Sequence, residues 1–267
     1  MEGRKIGTPG NEKAADYIAA QFKKNGLDYC YGNSYFVPFH HKDEMYFNVC
    51  AIKKGTGKDI VAFGAHFDHV GLAKKGDDIV YNGADDNASG VSAVIGLSDY
   101  YKDKKSEYSY MFMAFNAEEI GLIGSSHLAS NGEFKKYIPN IKALFNFEMI
   151  GTVSEFGPSK VFMTGDNLSN LDELLNANAV NQFKVSGDPY LDQQLFFRSD
   201  NVGFFKQGIV AHSFSTIDMN KQKHYHKVND DITVIDFDNL TNIVNDFAKT
   251  LDKTLSKPFN PTYSEKK

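Results

Sequence analysis

The chain has 267 residues, 42% of them hydrophobic and 24% charged, which is enough to bury a full core and excludes a disordered or fibrous chain. Its 29 Lys+Arg against 34 Asp+Glu leave a formal net charge of -5 without a basic block, so nucleic acid is not expected as a partner. No apolar stretch approaches the roughly 18 to 20 residues that span a bilayer, and Met1-Glu2-Gly3-Arg4-Lys5 has no apolar signal region behind its charges.

In chain order, the turn Gly7-Thr8-Pro9-Gly10 leads into a predicted helix from about Asn11 to Lys24, where Ala15, Ile18, Ala19 and Phe22 recur at helical spacing. Two β-rich runs, Tyr29 to Phe39 and Met45 to Lys53, read as an antiparallel pair around the polar stretch 40–44. Cys30 and Cys50 lie in this region and are the only cysteines, too few for a thiolate zinc site. They are expected as buried small hydrophobes, with a disulfide as the lesser alternative. Asp59 to Ala65 and Tyr108 to Phe115 are nearly continuous apolar runs of the kind found in strands covered on both faces. Between them, Asn87 to Tyr101 carries Val91, Val94, Ile95 and Leu97 on a helical stripe. Further on, the pattern predicts a short helix over Ile120 to Ser130 and strands over Lys142 to Phe147 and Lys160 to Thr164. A helix over Leu168 to Asn181, a strand over Gly208 to Ser215 and a long helix from Asp236 to Ser256 follow. Asp236 or Asp238 can cap that last helix, and the residues from Lys257 onward read as a tail. Nothing marks a domain boundary, so residues 1–267 are read as one α/β domain with a mixed, mainly parallel central sheet and helices on both faces.

In such sheets the site lies beyond the carboxyl ends of the strands. Here those ends run into His66-Phe67-Asp68-His69, Glu118-Glu119 and Glu148, while loops add Asp85-Asp86-Asn87 and His224-Tyr225-His226. Taken singly, each has an ordinary explanation: a glutamate pair suits a solvated helix start, and an Asp-Asp-Asn run suits a cap and turn. Together they place charged groups directly after apolar strands at one edge, where they must reach solvent or pair. Imidazole plus carboxylate without thiolate is a donor set for zinc or another borderline divalent ion. It also suffices for two ions that share a bridging carboxylate, an arrangement suited to amide hydrolysis.

The segments 2–12, Gly64-Ala-His-Phe-Asp-His-Val-Gly, Asn82-Gly-Ala-Asp-Asp-Asn-Ala-Ser-Gly, Ala117-Glu-Glu-Ile-Gly-Leu-Ile-Gly-Ser, Asn146-Phe-Glu-Met-Ile-Gly and Tyr225-His226 resemble, in order, the motifs of the co-catalytic zinc aminopeptidases. That family includes bacterial leucine aminopeptidases and is related to glutamate carboxypeptidase and glutaminyl cyclase. The resemblance runs from residue 2 to about residue 231 and implies a sheet of about eight strands. It implies two zinc ions per chain, with His66 and Glu148 on one, Glu119 and His226 on the other, and Asp86 bridging. Asp68 would hold the His66 ring in its metal-binding tautomer. Glu118 would be the general base toward a metal-bridging water. Many members carry Asp where this chain has Glu148. On local sequence alone His224 competes with His226, and the Tyr-His pattern favours the latter. His69 and His127 lie in matching motifs without being family ligands, and His40 and His41 read as solvated.

The resemblance further implies a peptide substrate with a free N-terminus. Met149, Phe214 and Tyr225 are the expected apolar wall of its pocket. Asp200 is expected near the site or as a helix N-cap. Export to the periplasm or the outside is expected if a leader precedes these residues. Two alternatives stand beside the aminopeptidase: a glutaminyl cyclase, and a catalytically silent binding domain on the same scaffold.

Overall fold

The computed structural model describes residues 1–264. The chain runs through α1 (Pro9–Lys24), β1 (Asp28–Tyr29), β2 (Phe36–His41), β3 (Glu44–Lys53), β4 (Ile60–His66), α2 (Gly90–Tyr101), β5 (Ser109–Phe115) and α3 (Ile123–Ser130). It continues with β6 (Ile141–Phe147), β7 (Lys160–Met163), α4 (Leu171–Asn176), β8 (Lys184–Gly187), α5 (Asn201–Phe205), β9 (Val210–Ser215) and α6 (Phe237–Leu255). The strands form one nine-stranded sheet in the order β1-β3-β5-β4-β6-β9-β7-β8, with β2 also paired to β3. The four central strands β5, β4, β6 and β9 are mutually parallel, and the antiparallel pairings β3 to β5 and β7 to β9 join the flanks to them.

Side-chain alternation explains how this sheet is covered on both faces. Val61, Phe63 and Ala65 of β4, with Phe112 of β5 and Phe145 of β6, meet α1, α2 and α6. The Phe63 ring lies 5.4 Å from Phe112 and 6.2 Å from Phe247 of α6. The intervening residues Ile60, Ala62, Met111, Met113 and Phe115 pack on the other face with Leu128 of α3 and Phe204 of α5. All seven residues of β4 and all seven of β5 are buried, as the apolar runs predict.

Several expectations change. Cys30 and Cys50 are joined in a disulfide, which links the loop after β1 to the centre of β3. Such bonds persist in oxidising compartments. The run Tyr29 to Phe39 is broken, because residues 30–35 form that loop and β2 begins only at Phe36. The helix expected over Leu168 to Asn181 is only Leu171–Asn176, and β8, too short and too polar to show alternation, follows it. Regular helix α2 starts at Gly90, since Asp86 and Asn87 leave helical geometry, Asp86 turning to the site and Asn87 bonding the Phe147 carbonyl and the Met149 amide. Asp236 is the residue that caps α6, accepting from the Asn239 amide at 2.9 Å. The stretch after α6 is docked, with Phe259 only 2% exposed and the Tyr263 hydroxyl accepting from the Ala211 amide at 3.1 Å. The part of the expected tail beyond 264 lies outside the described residues.

One core group makes stability depend on pH. His212 of β9 is fully buried, its Nδ1 donating to the Thr164 carbonyl at 2.8 Å and its Nε2 accepting from Ser169 Oγ at 2.7 Å. Burial lowers its pKa from 6.5 to about 4. Between these values the unfolded chain binds a proton that the native state does not, so stability present above the unfolded pKa is lost as pH falls. The full loss is about 3 kcal/mol. Urea unfolding between pH 7 and pH 4 should show this slope in the wild type and much less of it in His212→Asn. Equal pH dependence in both would assign the slope to other groups.

Candidate metal centre

β4, β5 and β6 are parallel neighbours, so their carboxyl ends open at one edge and deliver His66, Glu118-Glu119 and Glu148 side by side. The turns there are tight. Ala117 (φ 62°), Met149 (φ 48°) and His226 (φ 53°) all adopt left-handed backbone, which costs a non-glycine residue roughly 1–3 kcal/mol. The first two lie directly beside Glu118 and Glu148, and the third is a candidate ligand. At Gly83 a Cβ would fall 2.2 Å from the Asp86 carbonyl oxygen and 2.7 Å from the His69 ring, so only glycine lets this loop approach.

Asp86 is the hinge of the arrangement. Its Oδ1 lies 3.3 Å from His66 Nε2, and its Oδ2 lies 3.2 Å from His226 Nε2. Glu148 Oε1 is 3.2 Å from His66 Nε2, and Glu119 Oε2 is 2.9 Å from His226 Nε2. Two groups with donor atoms within 4.8 Å of one another result: His66, Asp86 and Glu148, and His69, Asp86, Glu119 and His226. The donors are imidazole and carboxylate, and the buried Asp86 Oδ2 is approached by the ring nitrogens of His226 and His69, at 3.2 and 3.6 Å, with neither in good hydrogen-bond geometry. Both observations fit a divalent metal of the zinc type.

Neighbouring look-alikes are tied up elsewhere. Asp85 accepts from the Gly151 amide at 2.8 Å through Oδ1 and faces His224 Nε2 at 3.0 Å through Oδ2. Asp85 and His224 thus brace the loop, and Asp86 and His226 face the site. Asp230 accepts from the Asp85 and Asp86 amides at 2.8 and 3.0 Å and orients that turn. Asp68 differs from expectation: its backbone carbonyl, at 3.1 Å, meets His66 Nδ1, whereas its carboxylate is 3.7 Å away. That carboxylate accepts the Glu118 and Glu119 amides at 3.0 and 3.2 Å, so it anchors the glutamate pair.

Motif reading set His69 aside, yet its Nδ1 lies 2.8 Å from Glu119 Oε1. Its place in the His66 to His69 turn was the one available signal. Asp200, fully buried, makes no side-chain cap to α5; burial raises its carboxyl to about 7. Arg4, also buried, donates to the carbonyls of Phe67 and Gly83 at 2.8 and 2.9 Å and brings a cation beneath this acidic edge.

Electrostatics separates the carboxylates. Burial pushes Asp86 and Glu119 upward, but the close ring nitrogens of their histidines overcome it and hold both below the ordinary range. His226 is raised to about 10 by hydrogen bonding to Asp86 and Glu119. Glu118 has no such partner. Burial lifts its pKa well above the ordinary value, with repulsion from Glu148, Asp200 and Asp68 adding to the lift and His66 opposing it. A cation bound nearby would pull the Glu118 carboxyl back down.

A cavity opens beside these groups, lined by Glu118, Met149, Phe162, Ile217, Met219 and Tyr225 among others. The Tyr225 ring stacks on His226 with centroids 4.0 Å apart. Phe214 does not line it. Alternation along β9 turns Phe214 toward Phe145 and Phe247 in the core, and presents Ser213 and Ser215 to the cavity instead.

The sequence profile of Peptidase family M28 matches residues 48–251, more than half of the chain. The chain belongs to this peptidase family. An aminopeptidase of Bacillus subtilis, YwaD, is 31% identical over 170 residues, covering 62% of this chain and 35% of that protein. The chain spans about a third of the length of such curated relatives. Among solved structures, a zinc aminopeptidase from Bacillus subtilis matches with a TM-score of 0.63 at 26% identity, over 79% of this chain and 50% of that one. A glutaminyl cyclase from Porphyromonas gingivalis matches with a TM-score of 0.70 over 93% and 92% of the two chains; at 17% identity this likeness shows the fold alone. For an M28 chain, the sheet edge that carries His66, Asp86, Glu119, Glu148 and His226 is the place where peptidase chemistry has to be sought.

Proposed function

We propose that this M28 chain is a zinc aminopeptidase that removes the N-terminal residue of peptides using two ions. One would be held by His66 and Glu148, the other by Glu119 and His226, with Asp86 shared. The observation that carries the reading is Asp86, whose two oxygens face two separate His-Glu pairs. Zinc bound there supplies a Lewis acid that polarises the scissile carbonyl and lowers the pKa of water.

The protein's own groups do the rest. Glu118 reaches the cavity without a histidine partner and is free to take a proton from water and return it to the leaving amine. Asp68 holds the Glu118 amide and so keeps that carboxylate in place. Met149, Phe162, Ile217, Met219 and Tyr225 give the first side chain an apolar surround and exclude water. The carboxylates around the cavity mouth favour a protonated amine next to the scissile carbonyl.

Aminoacyl p-nitroanilides with free and N-acetylated amines, run beside a peptide that begins with glutamine, test this. Free-amine leucyl or methionyl substrates should be cut roughly 10- to 10²-fold faster than their acetylated forms, the size of one lost charge-assisted hydrogen bond. Loss of ammonia from the glutaminyl peptide without cleavage of any free-amine substrate would favour the cyclase reading. Inactivity on both with zinc bound would favour a binding domain.

A further inference from the structure

Glu148 is held from two sides. Its Oε1 lies 3.2 Å from His66 Nε2, and its Oε2 lies 2.9 Å from Ser199 Oγ, in the loop that precedes α5. The serine does not stand alone. Asn146, two residues before Glu148 on β6, spends both amide hydrogens, one on Ser199 Oγ and one on Ser213 Oγ, each at 2.9 Å. Ser213 in turn donates to Asn201 Oδ1 at 3.0 Å. Asn146 and Asn201 are fully buried, and Ser199 and Ser213 are 4% and 1% exposed.

The chain of bonds has one direction. An amide nitrogen only donates, so Ser199 Oγ accepts from Asn146, and its single hydrogen goes to Glu148. A serine without Asn146 could turn its hydroxyl elsewhere. Here the hydroxyl is aimed, and it consumes Glu148 Oε2.

We propose that Ser199 is a positioning residue that makes Glu148 a one-oxygen metal ligand: with Oε2 committed to the serine, Oε1 alone is presented beside His66. A glutamate side chain has one more rotatable bond than an aspartate, and an untethered Glu148 would spread over several rotamers or turn both oxygens inward. The tether removes that freedom and sets the affinity of the His66-Glu148 half of the site without touching the Glu119-His226 half. The inference rests on the two-metal reading above.

The experiment measures stepwise zinc affinities by competition with a chromophoric chelator, with melting temperature and circular dichroism recorded for each variant. Ser199→Ala should bind one of the two ions at least tenfold more weakly and the other as the wild type does, the size of loss typical when an outer partner of a ligand is removed. Ser199→Thr keeps the hydroxyl and should restore the weakened ion. Ser199→Cys nearly preserves volume but donates weakly, and it gives the same one-ion loss should the alanine variant not fold. Wild-type affinity for both ions in the folded Ala or Cys variant, or equal weakening of both, would overturn the role of Ser199. A wild-type chain that binds no zinc would instead overturn the two-metal reading itself.

Discussion

Replacing Glu118 with Gln should lower turnover of a free-amine substrate by roughly 10²-fold or more while zinc content stays at the wild-type level. The amide keeps the size of the side chain and its place in the cavity, but it cannot accept a proton from water. The neighbouring position supplies the contrast. Glu119 is engaged by His69 at 2.8 Å and His226 at 2.9 Å, so Glu119→Gln should weaken zinc binding first and activity only as a consequence. The two phenotypes are separable because Asp68 fixes the two adjacent backbone amides, and the side chains then diverge. Single-turnover assays with zinc quantified in the same samples check this. A Glu118→Gln protein that turns over at the wild-type rate would remove Glu118 from the proton-transfer role.

Asp86→Ala should abolish zinc binding at both positions rather than at one. Asp86 is 2% exposed and, among the described residues, is the one carboxylate shared by both donor groups. Two dications roughly 3.5–4 Å apart repel strongly in a poorly solvated site unless an anion lies between them. Elemental analysis should fall from near two zinc ions per chain to near zero, with a melting curve to show that the variant is folded. Retention of one ion at full affinity in a folded variant would mean that Asp86 serves a single metal. The loss of the Asp86 contacts should also lower the raised His226 pKa, since the bond to Asp86 does most to raise it.

Most of the order of strands and helices, apart from β8, α5 and the break between β1 and β2, was legible in the residues themselves, as were the two-faced burial of β4 and β5 and the chemistry of the strand ends. Continuous apolar runs and the 3.6-residue stripe of α6 are local signals, and ionisable residues directly after such runs are uncommon enough to stand out. The motifs added the choice of Asp86 and His226 over Asp85 and His224. In the structure the latter pair meet each other at 3.0 Å, behind the edge that Asp86 and His226 face.

What the local pattern could not decide depends on contacts between residues far apart in sequence. The Cys30–Cys50 bond needs the loop after β1 to lie against β3, a matter of register between strands. Phe214 faces the core and Ser213 the cavity because alternation along β9 turns on a shift of one residue, and only pairing with β6 sets its phase. Asp68 uses its backbone toward His66 and its carboxylate toward the glutamate turn because two neighbouring strands end at the same height. The Asn146-Ser199-Glu148 connection joins β6 to a loop more than fifty residues later in the chain. Hydrophobic periodicity reports which face of an element is buried; which hydroxyl or amide meets a given carboxylate is settled only when those faces are packed together.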